Sequence, residues 1–201
     1  ALSHILYVQP VSSKYHSFTI PKRSGGTRGI SAPRKGLKLL QRRLADLLQA
    51  CIVELNQIRE ENDEPILRYQ LSHGFTKDRS ILTNARPHRN KRYVFNIDLE
   101  DFFGSIHFGR VQGFFLKDKS FLLKPKTALV LAQIACFEQK LPHVSPCSPI
   151  ISNLIANILD IHLVRLASRW GCIYTRYADD ISFSTNKTEF PARIATRSCS
   201  V

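Results

Sequence analysis

Apolar and polar positions divide the chain into helical and extended stretches. From Gly36 to about Glu60, Leu37, Leu40, Leu44, Leu47 and Leu48 recur at three- and four-residue spacing, and Lys38, Arg42 and Arg43 fall off that stripe. This spacing predicts a long amphipathic helix. Glu61-Asn62-Asp63-Glu64-Pro65 supplies its stop. Upstream, Phe18-Thr19-Ile20 and Arg28-Gly29-Ile30-Ser31 predict short strands around a basic turn with two glycines. Tyr93, Val94, Phe95 and Ile97 form a nearly continuous apolar run and predict a strand that ends at Asp98. Helices are expected from His107 to about Leu116, from about Thr127 to Phe137, and from about Ile150 to Trp170, the last ended by Gly171. Three prolines exclude regular structure between Leu141 and Pro149. Ile173 to Tyr177 and Ile181 to Ser184 predict two strands around a tight Asp-Asp turn. Helices mixed with antiparallel strands predict an α+β fold.

Composition adds a partner class. The chain has 201 residues, 43% of them hydrophobic, enough for an ordinary core in one large domain or two small ones. No apolar run approaches the roughly 18 residues that span a bilayer, and the N-terminus lacks a signal-peptide series. A soluble cytoplasmic protein with no membrane partner is therefore expected. Lys and Arg total 29 against 16 Asp and Glu, a net charge of +13. A field of that sign attracts polyanions, nucleic acid above all; the plainer alternative is an inert basic surface. Cys51, Cys136, Cys147, Cys172 and Cys199 lack metal-ligand spacing and are expected as reduced thiols. The absence of any Met, even at position 1, suggests a processed or trimmed start.

Chemistry concentrates in Tyr177-Ala178-Asp179-Asp180. Adjacent ionised Asp side chains repel, and a hard divalent cation such as Mg²⁺ relieves that repulsion. A lone Asp-Asp is more often a plain turn. Asp98 changes the balance, because a charge closing an apolar strand is costly unless paired or metal-bound. If the two strand systems lie side by side, Asp98 and Asp179 can share two cations roughly 4 Å apart, suited to in-line phosphoryl transfer. Asp101 better fits the blander role of capping the following turn.

Three ordered stretches carry a family resemblance. Phe95-Asn96-Ile97-Asp98-Leu99-Glu100-Asp101-Phe102-Phe103 resembles motif A of reverse transcriptases. Leu141-Pro142 through Ser148-Pro149-Ile150-Ile151-Ser152-Asn153 resembles motif B, and Arg176-Tyr177-Ala178-Asp179-Asp180 resembles motif C. Asn84-Ala85-Arg86-Pro87-His88 is similar to the NAxxH signature of bacterial retron enzymes. The resemblance implies a right-hand polymerase fingers-palm fold, with an antiparallel palm sheet backed by helices. Residues 1–90 would form the fingers region with its basic hairpin, and residues 91–201 the palm. The family continues past motif C into a thumb, which is expected to be missing here.

The resemblance also implies an activity, RNA-directed DNA polymerisation of retron type. A primer hydroxyl would attack a dNTP on an RNA template, with two Mg²⁺ ions or Mn²⁺ in their place. Asp98, Asp179 and Asp180 would be the catalytic metal ligands, with the Leu99 backbone also facing a metal. Phe103 would be the aromatic gate that rejects a 2′-hydroxyl. Lys22 and Arg28 would grip the triphosphate, while His143, Ser148 and Asn153 would line the nucleotide site. Asn84, Ala85 and His88 would mark the retron subgroup. Implied partners are a structured non-coding RNA serving as template and primer, the DNA product, and a defence effector protein in an antiviral setting. One departure stands out: His143-Val144 replaces the family's Gln-Gly, and Val adds a branched Cβ where Gly allows close backbone approach. That departure and the missing thumb favour one alternative, a weak or inactive nucleic-acid-binding remnant; a group II intron-like reverse transcriptase is a separate one.

Overall fold

The computed structural model describes residues 2–21, 25–62, 71–191 and 194. In chain order these form α1 (Val11–Lys14), β1 (Tyr15–Pro21), β2 (Thr27–Pro33), α2 (Lys35–Glu61), α3 (Ile81–Ala85), β3 (Tyr93–Asp98), α4 (Phe108–Lys117), α5 (Pro125–Ala135), α6 (Ser148–Arg169), β4 (Ile173–Tyr177) and β5 (Asp180–Thr185). They gather into two interleaved compact units, one of Ala1–Glu64 with Asp101–Ser152 and one of Pro65–Glu100 with Asn153–Val201. Compactness thus divides the chain differently from a sequential split at residue 90.

In the first unit, β1 and β2 pair antiparallel from Tyr15↔Pro33 to Pro21↔Thr27. Near the tip, Gly25 and Gly26 take φ of +90° and +80°, which side chains other than Gly rarely adopt. Helix α2 buries Leu37, Gln41, Leu44, Leu48 and Ile52. The predicted stripe needs correction here, since Leu47 is 60% exposed. The 3.6-residue period carries the buried line through polar Gln41 instead. Gln41 is admitted because its amide donates to the Tyr15 hydroxyl at 3.0 Å and to the Ile134 carbonyl at 2.9 Å. Val111 and Phe115 of α4 and Ala128, Ala132 and Ala135 of α5 are fully buried.

The second unit is built on a three-stranded antiparallel sheet ordered β3-β5-β4. One sheet face packs Ile181 and Phe183 with Leu163 and Ala167 of α6, and Phe95 and Ile97 join them. Helix α6 begins at Ser148, slightly earlier than predicted. Pro149 falls in its first turn, where a missing N–H costs no helical bond. Gly171, at φ +63°, ends it as expected. By length and composition α6 could cross a bilayer, which corrects the expectation that no such stretch exists; 56% of its most apolar window is buried within the protein. Cys51, Cys136, Cys147 and Cys172 are free thiols, and Cys199 lies outside the described residues. Burial pushes the Cys147 thiol up to about 11.

Candidate metal centre

The acids converge because of sheet register. Tyr177 pairs with Asp180, so Ala178 and Asp179 form a two-residue hairpin loop. On the other side of β5, Asp98 lies directly opposite Asp180. Directly opposed residues of an antiparallel pair project from the same face, which puts these two carboxylates side by side. The Leu99 N–H donates to the Asp179 carbonyl at 3.1 Å and ties the end of β3 to the loop. With that N–H engaged, the Leu99 carbonyl is the backbone group of the right kind for a cation.

The carboxylates sense one another. Burial, followed by the charges of Asp179 and Asp98, raises the Asp180 carboxyl above its ordinary value. Among the described residues, however, no three His, Cys, Asp or Glu side chains form a ready-made metal cage. The acids therefore share a repulsive field without yet sharing a coordination sphere. A hard divalent cation would relieve that repulsion. Asp98 is not a desolvated charge, contrary to the expectation from its apolar strand. Strand β3 alternates between half-buried and exposed positions, Val94 is 51% exposed, and Asp98 is itself exposed. Its significance rests on facing Asp180, not on desolvation.

Beneath the loop, on the core face, lies a polar network centred on Arg176 and Asp160. Arg176 forks onto Asp160, and its remaining amino group reaches the Ala178 carbonyl and Asn153. Burial opposes the guanidinium's charge, but Asp160 outweighs it and holds the group above the usual arginine value. Gly74 packs directly against the Ala178 backbone. One signal was available in the sequence: Asp160 is a lone acid in an apolar helix run, and Arg176 a lone base in an apolar strand.

The other expected site residues fall in several places. His88 sits on the acid-bearing face of the sheet, where one ring nitrogen meets the Ser184 hydroxyl and the other the Thr175 hydroxyl, each at 2.7 Å. It bridges β4 and β5, while Asn84 is buried in α3 and Ala85 is exposed. Asn153 is buried, with its amide donated to the Gly74 carbonyl at 2.8 Å. Ser148 is fully buried and donates to the Pro142 carbonyl at 2.7 Å. The structure therefore places Asn153 and Ser148 as internal braces rather than at an open nucleotide surface. In the first unit, Phe103 is half-buried and meets the His143 ring edge-on, with centroids 5.6 Å apart. His143 Nε2 lies 3.5 Å from Asp101. Lys22 and the Arg28 side chain lie outside the described residues.

Comparison with known proteins agrees with this geometry. A family profile described as "Reverse transcriptase (RNA-dependent DNA polymerase)" matches residues 20–197. The chain is 36% identical to the retron Mx65 reverse transcriptase of Myxococcus xanthus, over 85% of this chain and 40% of that protein. It is 37% identical to the retron Mx162 enzyme of the same organism, over 90% and 37%, and 34% identical to the retron Ec86 enzyme of Escherichia coli, over 89% and 51%. It thus spans about half the length of these relatives, or less. The solved structure of apo telomerase from Candida tropicalis, truncated from its C-terminal domain, superposes with a TM-score of 0.56 at 14% identity, over 98% of this chain and 48% of that one. That likeness concerns the fold, a mixed helical and antiparallel-sheet architecture consistent with fingers and palm. With nearly the whole sequence matched and motifs A and C brought together at one sheet register, the chain belongs to the reverse transcriptase family and resembles its retron members.

Proposed function

We propose that this chain provides the fingers and palm of a retron-type RNA-directed DNA polymerase, with Asp98, Asp179 and Asp180 holding two divalent cations. Mg²⁺ is the natural occupant, and Mn²⁺ a substitute. The observation that carries the reading is the opposition of Asp98 and Asp180 across β3 and β5, beside Asp179. When bound, the cations activate a primer hydroxyl and neutralise charge on the triphosphate. The hydroxyl gives up its proton to solvent, its oxygen bonds to the α-phosphorus of a dNTP, and the bond to pyrophosphate breaks. Arg28 and Lys22 grip the triphosphate, and Phe103 excludes a 2′-hydroxyl. The net charge of +13 favours RNA and DNA as partners. By analogy with the retron relatives, the template is a structured non-coding RNA whose own 2′-hydroxyl primes synthesis. Cytoplasmic antiviral defence with an effector protein is the setting that follows.

Primer extension on an RNA template with dNTPs and Mg²⁺ tests this. Product from the 201-residue chain, lost in Asp179→Asn, is expected. No product together with retained RNA binding would leave the second reading, a non-catalytic nucleic-acid-binding remnant. That reading is favoured by His143 packing against Phe103 where the family pattern has Gln.

A further inference from the structure

The core face of the palm sheet holds an unusual group. Arg176 is 0% exposed and Asp160 1%. Ions that deep persist only when paired and fully hydrogen-bonded. Arg176 Nε donates to Asp160 Oδ1 and Nη2 to Oδ2, both at 2.7 Å. This fork fixes the guanidinium plane and aims Nη1 the other way. Nη1 donates to the Ala178 carbonyl at 2.8 Å and to Asn153 Oδ1 at 3.3 Å. Asn153 in turn donates to the Gly74 carbonyl, and the Arg176 carbonyl accepts from the His73 N–H at 2.7 Å.

The geometry points to Arg176, held by Asp160, as a positioning residue that sets the carboxylate turn in its cation-binding shape; this rests on the metal-centre reading above. Ala178 takes φ +56°, a conformation that favours glycine. Such backbone persists only where its surroundings over-determine it. The Ala178 carbonyl belongs to the planar peptide that leads into Asp179, so fixing that oxygen fixes where the Asp179 side chain begins. The third bond satisfies a buried donor and in the same contact anchors the turn at Ala178. Asp160 acts through Arg176, and Asn153 couples the same group to the segment that abuts the turn.

Mn²⁺ binding to the 201-residue chain, followed by electron paramagnetic resonance of the free ion, tests the assignment without relying on turnover. Arg176→Lys keeps a positive charge against Asp160, but a single ammonium cannot also span to Ala178. It should retain the fold by circular dichroism and bind Mn²⁺ about tenfold more weakly or worse. Tyr174→Phe removes a different hydrogen bond to Asp160, one that does not reach the turn. It should lower thermal stability and leave Mn²⁺ affinity within about twofold of the parent, a smaller change than loss of a positioning group brings. Parent-like Mn²⁺ affinity in folded Arg176→Lys overturns the proposal. Should Arg176→Lys not fold, Asn153→Ala, which keeps the ion pair, decides: a several-fold loss supports the assignment, and parent-like affinity overturns it. A parent chain that binds no Mn²⁺ brings down the metal centre itself and this inference with it.

Discussion

Gly74 offers the sharpest perturbation of the turn. A Cβ added there would lie 2.4 Å from the Ala178 nitrogen, 3.1 Å from the Tyr177 carbonyl carbon and 3.2 Å from the Ala178 Cα. Non-bonded heavy atoms settle at about 3.5–4.0 Å, so Gly74→Ala creates an overlap of about an ångström. All three neighbours are backbone, and both sides are anchored. The Gly74 carbonyl accepts from Asn153, and the Ala178 carbonyl accepts from Arg176. Relief must come from moving the turn or the 72–74 segment bodily. Overpacking of this kind costs about 1–3 kcal/mol. In a chain of this size that is a fall in Tm of about 2–4 °C per kcal/mol. Displacing a reacting group by about an ångström costs about a hundredfold in rate. Thermal melting and initial rates of DNA synthesis, the latter measured well below the melting midpoint, read the two effects separately. A Gly74→Ala chain that melts and polymerises like the parent would refute the claim that this contact shapes the turn.

Asp160→Leu alone strands a buried guanidinium and should cost about 3–5 kcal/mol in urea unfolding, while Asp160→Leu combined with Arg176→Met should recover most of it; simply additive losses would argue against a coupled pair. Burial, and next Lys91, holds the His88 ring below its ordinary value of 6.5, and burial lowers His73 in the same way. The unfolded chain therefore takes up these protons first, so the contribution to stability is whole above pH 6.5 and is lost as pH falls toward the folded values. His88→Asn should flatten that slope in melts at stepped pH, and an unchanged slope would count against the assignment. Phe103→Ala should raise ribonucleotide incorporation relative to deoxyribonucleotide by about tenfold or more in paired single-nucleotide extensions, and a constant ratio would remove Phe103 as the gate.

Periodicity made the elements legible, and two adjacent acids between apolar strands made the turn legible. What stayed hidden depends on three-dimensional register. The apolar run of β3 conceals an exposed face that carries Val94, Asn96 and Asp98. Gln41 breaks the leucine pattern of α2 yet is fully buried, because its partners Tyr15 and Ile134 come from elsewhere in the chain. Asn153 and Ser148 sit in a recognisable motif, but the motif does not reveal that their side chains turn inward to the Gly74 and Pro142 carbonyls. Asp160 and Arg176 each stand out in sequence as a lone charge in an apolar element, but that the helix residue meets the strand residue is not readable along the chain. The interleaving of the units is invisible for the same reason, since residues 101–152 return to the first unit after 65–100 have joined the second.

The bracing of the turn also dictates when it can form. The β4–β5 hairpin is local and can close as soon as its residues exist, but its supports are distant in sequence. The Ser72–Arg176 contact spans 104 positions and the Asn153–Gly74 bond spans 79. Long closures of this kind come late, because their entropy must be met before the contacts reward it. A refolding chain would therefore carry Asp179 and Asp180 on an unsupported hairpin until 72–74 and α6 had docked. Cation binding should accordingly be among the last properties to appear on refolding, after most secondary structure has returned, so that a refolding trace followed by bound Mn²⁺ lags one followed by helix signal.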